Sequence, residues 1–234
     1  MTNLPTLDQL VAAPPKKQIA IAAELAALGE VGEQVLIQFL QKHLTNPPKL
    51  IHGVVYQSLY GSAQAATRAF LADYLPTGIV PLVSTQDVDY TQLQRLLAEQ
   101  DFLEGDRLTL QKLCELAGAS AIKRKWLYFT EVDSLPGSDL QTINTLWLMH
   151  SGGKFGFSVQ RELWLTVGQD FNKLWELIGW KQGSNWTRYP NQFTWNTTAP
   201  RGHLPLSNQL RGVQSFKSLL LHPVWQAQQK DGSD

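Results

Sequence analysis

The chain is poor in cysteine: Cys114 is the single one in 234 residues, which excludes an internal disulfide. Such usage fits a reducing compartment. There is no excess of either charge, with 20 Lys+Arg against 20 Asp+Glu. A general nucleic-acid binder carries a basic excess or stripe, so balanced charge argues against that class and leaves open only a local basic patch. No apolar run is long enough to span a bilayer. The start, MTNLPTLDQLVAAPPKK, lacks the basic-then-apolar order of a secretory signal and the Arg/Ser-rich, acid-poor character of a transit peptide. The expected location is the cytoplasm, with any membrane contact peripheral and made through exposed aromatic loops.

Catalytic signatures are missing too. No G-x-S-x-G elbow occurs. The glycine-rich SGGKFGFS (151–158) lacks the G-K-[ST] ending of a phosphate loop. His43, His52, His150, His203 and His222 do not pair at ligand spacing with one another or with Cys114, and read as scattered surface or capping residues. Cys114 sits between leucines in QKLCELAG and reads as a small buried residue. Glu131 and Asp133 are near enough to share a cation, but such pairs are common on surfaces.

What the chain does have is tryptophan. All eight lie after residue 125, whereas the first half is rich in Ala, Leu and Gln. This shift predicts two domains, an N-terminal helical bundle over 1–83 and a second domain over 84–234. The predicted fold class is all-α. Apolar positions at helical spacing predict helices over 16–28, 32–44, 49–61 and 62–75. A related pattern occurs in α-solenoids, but no internal repeat of their usual period is visible. The linker PTGIVPLVS (76–84) follows. Further helices are predicted over 87–100, capped by Asp87 or Asp89, and over 101–118, stopped by Gly118. Others cover 138–153 with Ser138 as cap, 158–168, 170–180 and 207–225. WLYFTEV (126–132) suits a strand or a buried helical turn equally.

Two stretches carry the functional reading. NWTRYPNQFTW (185–195) places Trp186, Tyr189, Phe193 and Trp195 at spacings that fit neither helix nor strand. They are either a lid packed on its own domain or a wall for a large flat ligand, since rigid rings offer wide contact at low entropic cost. The glycine loop carrying Phe155 and Phe157 divides in the same way, between an anchor and an exposed contact. APRGHLPLSNQLRG (199–212) then sets Arg201, Asn208, Gln209 and Arg211 among Leu204, Leu206 and Leu210. Arginine and amides beside apolar residues suit an apolar ligand that bears carboxylates.

The segments KLCELAG, WLYFTEVDSLPGSDLQTINTLW, GKFGFSVQRELW, NQFTW and GHLPLSNQLRGV resemble the genomes-uncoupled-four family over most of 84–225. The first 75 or so residues resemble the N-terminal domain of its cyanobacterial members less distinctly. The resemblance implies an all-helical porphyrin-binding core shaped as a cupped hand. It implies protoporphyrin IX or Mg-protoporphyrin IX as bound ligand, no intrinsic metal, and the large subunit of magnesium chelatase as partner. The chain would then be a monomeric, non-catalytic activator of the chelatase in chlorophyll synthesis, acting by substrate delivery or product release. Phe129 and Phe157 match palm positions, Phe193 the finger, and Asn208 and Arg211 the polar end, where propionates or a metal-bound water are met. With the pattern residues, the implied ligand-binding set is Phe129, Phe157, Val159, Trp186, Tyr189, Phe193, Trp195, Leu206, Asn208, Leu210 and Arg211. Leu110, Tyr189 and Gln214 depart from the family pattern, Gln214 replacing an arginine of many members. Two rivals stand beside this reading: a porphyrin-independent scaffold, and a tetrapyrrole enzyme using Glu131 and Asp133.

Overall fold

In the computed structural model, which describes residues 4–206 and 213–227, helices dominate and the one strand pairing among the described residues is a short hairpin. The chain divides into two units, Met1–Pro81 and Leu82–Asp234. The all-α expectation holds. Among the described residues no helix is long and apolar enough to cross a membrane.

The N-terminal unit is built from α1 (Leu7–Ala12), α2 (Pro15–Ala27), α3 (Glu30–His43), α4 (Leu50–Tyr60) and α5 (Ala65–Tyr74). The predicted four helices are α2 to α5. The sequence reading missed α1, which is held by a Thr6/Gln9 capping box. Apolar residues at helical spacing face inward: Leu25 on α2, Leu36 and Leu40 on α3, and Val55 and Leu59 on α4 are almost wholly buried. Burying each such side chain stabilises the unit by roughly 1.5–3 kcal/mol. At Gly32 the backbones of α2 and α3 meet so closely that a Cβ would lie 1.8 Å from the Leu25 carbonyl oxygen. Glu33 ties α3 to the start of α5, accepting hydrogen bonds from the Ser62 and Thr67 hydroxyls at 2.7 and 2.5 Å.

The C-terminal unit begins with α6 (Thr91–Ala98) and α7 (Phe102–Ala117), which pack on each other. Then come α8 (Ala119–Arg124), α9 (Phe129–Val132), α10 (Gly137–His150), α11 (Phe157–Thr166) and α12 (Phe171–Leu177). The hairpin β1 (Lys181–Gln182) and β2 (Asn185–Trp186) leads into a loop, and α13 (Val213–Leu221) and α14 (Val224–Ala227) follow. Phe102, Trp147 and Phe155 form one fully buried aromatic centre, with Trp147 Nε1 donating to Thr109 Oγ1 at 3.0 Å. Asp139 joins α10 to the segment before α6, accepting from the Tyr90 hydroxyl at 2.8 Å and from the Thr85 amide and hydroxyl. Burial works against its ionisation, but hydrogen bonds from Ser84, first, and then from Thr85 and Tyr90 outweigh it and hold its carboxyl below the usual range.

Several sequence expectations need correction. The cap of α6 is Tyr90, not Asp87 or Asp89, although the Asp89 carboxylate does accept from the Thr91 amide at 2.8 Å. Ser138 lies inside α10, whose cap is Pro136. α8 was not anticipated, and WLYFTEV resolves into the single turn of α9. The expected helix over 207–225 breaks after Leu221, where Pro223 cannot continue it, and its first six positions lie outside the described residues. His52, His150, His203 and His222 are buried rather than on the surface, although His52 does cap: its Nδ1 accepts from the Lys49 amide at 3.0 Å at the start of α4.

Candidate functional site

The loop after the hairpin is fastened at its start by Thr187. Its amide donates to the Trp180 carbonyl and its hydroxyl to the Gly179 carbonyl, both at 3.0 Å. The loop's centre rests on His203. A carbonyl only accepts, so the 2.6 Å contact between His203 Nδ1 and the Ile178 oxygen requires a proton on Nδ1. Nε2 is then free to accept from the Thr194 amide at 3.2 Å. The ring is therefore neutral. Burial holds its pKa below the usual histidine value, in agreement with that geometry.

Against this ring stands Phe193, 5.3 Å away between centroids. Tyr189 meets Trp195 edge-on at 5.9 Å and Phe193 at 6.5 Å, and Phe193 lies 6.0 Å from Trp195. Trp195 Nε1 donates to the Pro190 carbonyl, closing the loop on itself. These three rings form one cluster.

The far side of the loop is stitched down more firmly. Gln160, on α11 and wholly buried, donates from Nε2 to the carbonyls of Gly202 and Pro205 at 3.0 and 2.8 Å. Gly156 donates its amide to the Leu204 carbonyl. Gly202 has φ +77°, a conformation that favours glycine, and a Cβ there would also press on the Leu163 side chain at 2.7 Å. The Leu206 amide donates to Asp106 Oδ1 at 2.6 Å. Asp106 is buried on α7, and burial pushes its carboxyl up to about 8, against the weaker opposing effects of the Leu206 hydrogen bond and Arg107. It is mostly protonated at neutral pH.

The expected ligand-binding residues fall into three groups. Phe157, Val159, Phe193 and Leu206 are buried, and Tyr189 and Trp195 are half-buried. Phe129 and Trp186 are exposed, at 49% and 56%. Trp186 is separate from the loop cluster: its ring lies 6.1 Å from Trp175, with the Lys181 ammonium 5.7 Å over it. Trp175 in turn stacks on Trp180 at 5.2 Å and meets Phe216. Asn208, Leu210 and Arg211 lie outside the described residues. Phe155 and Phe157 are both buried, as residues that anchor the glycine loop would be. Glu131 is engaged by Arg124 Nη2, at 2.7 and 2.6 Å, and by the Tyr128 amide, so its carboxylate is already paired with a cation other than one shared with Asp133. Among the described residues no group of three or more His, Cys, Asp or Glu side chains could hold a metal ion.

Sequence reasoning missed Asp106, Arg107, Gln160 and His203 as site-building residues. The available signal was Asp106 itself, an acid one position after Gly105 on the inward face of α7.

Comparison with known proteins gives the family. Residues 83–223 match the family described as GUN4-like, and residues 2–76 match the ARM-like repeat domain, GUN4-N terminal. The Ycf53-like protein of Synechocystis sp. is 52% identical over 225 residues, covering 95% of this chain and 97% of that protein. The tetrapyrrole-binding protein, chloroplastic, of Arabidopsis thaliana is 39% identical over 142 residues, covering 57% of this chain and 54% of that protein. The structure of GUN4 from Chlamydomonas reinhardtii superposes with a TM-score of 0.59 at 41% identity, covering 63% of this chain and 94% of that one. With the family spanning more than half its length, the chain belongs to the GUN4-like family.

Proposed function

We propose that this protein binds a tetrapyrrole, protoporphyrin IX or Mg-protoporphyrin IX, and stimulates magnesium chelatase without itself catalysing a reaction. The observation that carries the reading is the cluster of Tyr189, Phe193 and Trp195 on a loop backed by a neutral histidine. Flat rings on a tethered loop suit a flat macrocycle. Membership of a family with a relative named for tetrapyrrole binding supports the ligand class. Burying each ring against a ligand contributes roughly 1.5–3 kcal/mol, enough in sum for micromolar binding after the cost of association. The chelatase role rests on the sequence resemblance. In this reading the protein delivers the porphyrin to the large chelatase subunit or withdraws the product from it. Asn208 and Arg211 are retained as the polar end of the site.

Titration with deuteroporphyrin and its magnesium complex, followed by tryptophan emission, tests the reading. The expected result is saturable quenching at micromolar concentration or below, weakened by about tenfold or more in Phe193→Ala. Quenching that stays linear with added porphyrin would show that the loop is not part of a working site. A scaffold reading is favoured by one finding, the ARM-like match of residues 2–76, because stacked helix pairs commonly grip other proteins. A complex with the large chelatase subunit that forms equally with and without porphyrin would favour it.

A further inference from the structure

Arg107 stands on α7 beside the buried Asp106, but its own side chain points outward and is 48% exposed. Its Nε donates to the Tyr189 hydroxyl at 3.1 Å, across 82 positions of sequence. Its Nη1 donates to Glu104, one turn earlier on the same helix. A guanidinium has five N–H donors fixed in one plane, and these two contacts use two of them. The Tyr189 ring that it holds is the one that meets Trp195 edge-on. A planar edge of donors therefore stands at the rim of the ring cluster.

Two other cations of the C-terminal unit are committed elsewhere. Lys154 Nζ donates to the Thr197 carbonyl at 2.6 Å, and Arg201 is paired with Glu162. Among the described residues Arg107 is paired with the carboxylate of Glu104, in an i,i+3 pair whose side chains are both about half exposed. Such a surface pair contributes little and exchanges readily. A carboxylate anchored by rings on one side offers the guanidinium a better-fixed, two-point partner.

We propose that Arg107 is a carboxylate-selecting residue of the ligand site, holding the loop through Tyr189 and offering its outer donors to an acidic group on the ligand's edge. The role rests on the tetrapyrrole reading. Because selection needs the planar fork as well as the charge, lysine is a poor substitute. Glu104 is its competitor, so removing that charge favours the ligand.

The test uses the full chain and two probes, deuteroporphyrin with its two free carboxylates and its dimethyl ester. Arg107→Gln is expected to weaken the diacid about tenfold and the ester less than about threefold, the size of one charge-assisted hydrogen bond. Arg107→Lys recovers only part of the loss. Glu104→Gln tightens the diacid and leaves the ester unchanged. Tyr189→Phe, which frees the loop but keeps the charge, changes both probes by the same small factor. Equal losses for the two probes in Arg107→Gln would leave Arg107 as a latch alone and overturn the proposal. Unchanged binding of both would overturn it as well, with the tetrapyrrole reading intact. Failure of the wild-type protein to bind either probe would instead remove the tetrapyrrole reading, and this role with it.

Discussion

The N-terminal unit and the aromatic loop of the C-terminal unit are held together by different kinds of contact. In the first, the stabilising residues recur: Leu25, Leu36, Leu40, Val55 and Leu59 are interchangeable in kind, and each buries a similar apolar surface. In the second, almost every fastening is unique. One imidazole, one glutamine amide, one carboxyl and one threonine hydroxyl each reach a particular backbone group. A periodic face spreads its stability over many residues. A stitched loop concentrates it in a few, and can therefore be released locally. That is a useful property for a segment that must admit a large ligand, and a poor one for a scaffold.

The sharpest way to break the comparison is to damage the regular unit where two of its helices approach backbone to backbone. Gly32→Ala puts a methyl group onto the Leu25 backbone, which cannot move aside as a flexible side chain would. The helices α2 and α3 must separate, at an expected cost of more than about 3 kcal/mol. Thermal unfolding followed by circular dichroism should show an early loss of helix, while the near-ultraviolet signal of the tryptophans, all after residue 125, persists. Simultaneous loss of both signals would mean that the two units do not unfold independently.

How much of this was legible in the sequence follows from the same contrast. Helix α7 could be read because Asp101 caps it, accepting from the Glu104 amide, and Gly118 stops it with φ +96°. The four main N-terminal helices could be read because an apolar face repeats. Their solenoid character could not, since five helices of unequal length give no fixed period to detect. The two-residue strands of the hairpin carry no pattern at all. The loop cluster was legible as composition, but not its supports. Gln160 reaches Gly202 across 42 positions and Asp106 reaches Leu206 across 100, so even where an inward-facing acid such as Asp106 stands out, nothing local names its partner. Trp186 shows the same limit: close to Tyr189 in sequence, its ring meets Trp175 rather than the three-ring cluster.

The second prediction tests a single stitch by pH. Asp106 has its folded pKa raised from 3.8 to about 8, so the native state holds a proton that the unfolded chain releases. Its contribution therefore works against stability increasingly as pH rises from about 4 to about 8, and is absent below that window. Asp106→Asn keeps an oxygen for the Leu206 amide and removes the titration. The variant should gain melting temperature over the wild type progressively across that window, by several degrees at its upper end. A constant offset at all pH values would show that Asp106 does not titrate within it.

The smallest expected effect is the most diagnostic of how the loop is held. Thr187→Val keeps the shape of the side chain and deletes one hydrogen bond, from its hydroxyl to the Gly179 carbonyl. The half-buried carbonyl can recruit water, so the loss should be about 1 kcal/mol. In a cooperative core that loss would appear as a lower melting temperature for the whole unit. In a stitched loop it appears locally, because the Thr187 amide is still bonded to Trp180 and the far end is still gripped by Gln160 and Asp106. Hydrogen exchange should then quicken by about fivefold at the Thr194 and Phe193 amides, with the amides of α7 and α11 unchanged. Faster exchange throughout α11 would mean that the loop and its supporting helix open as one body. Ligand entry would then require a larger movement than release of the aromatic segment alone.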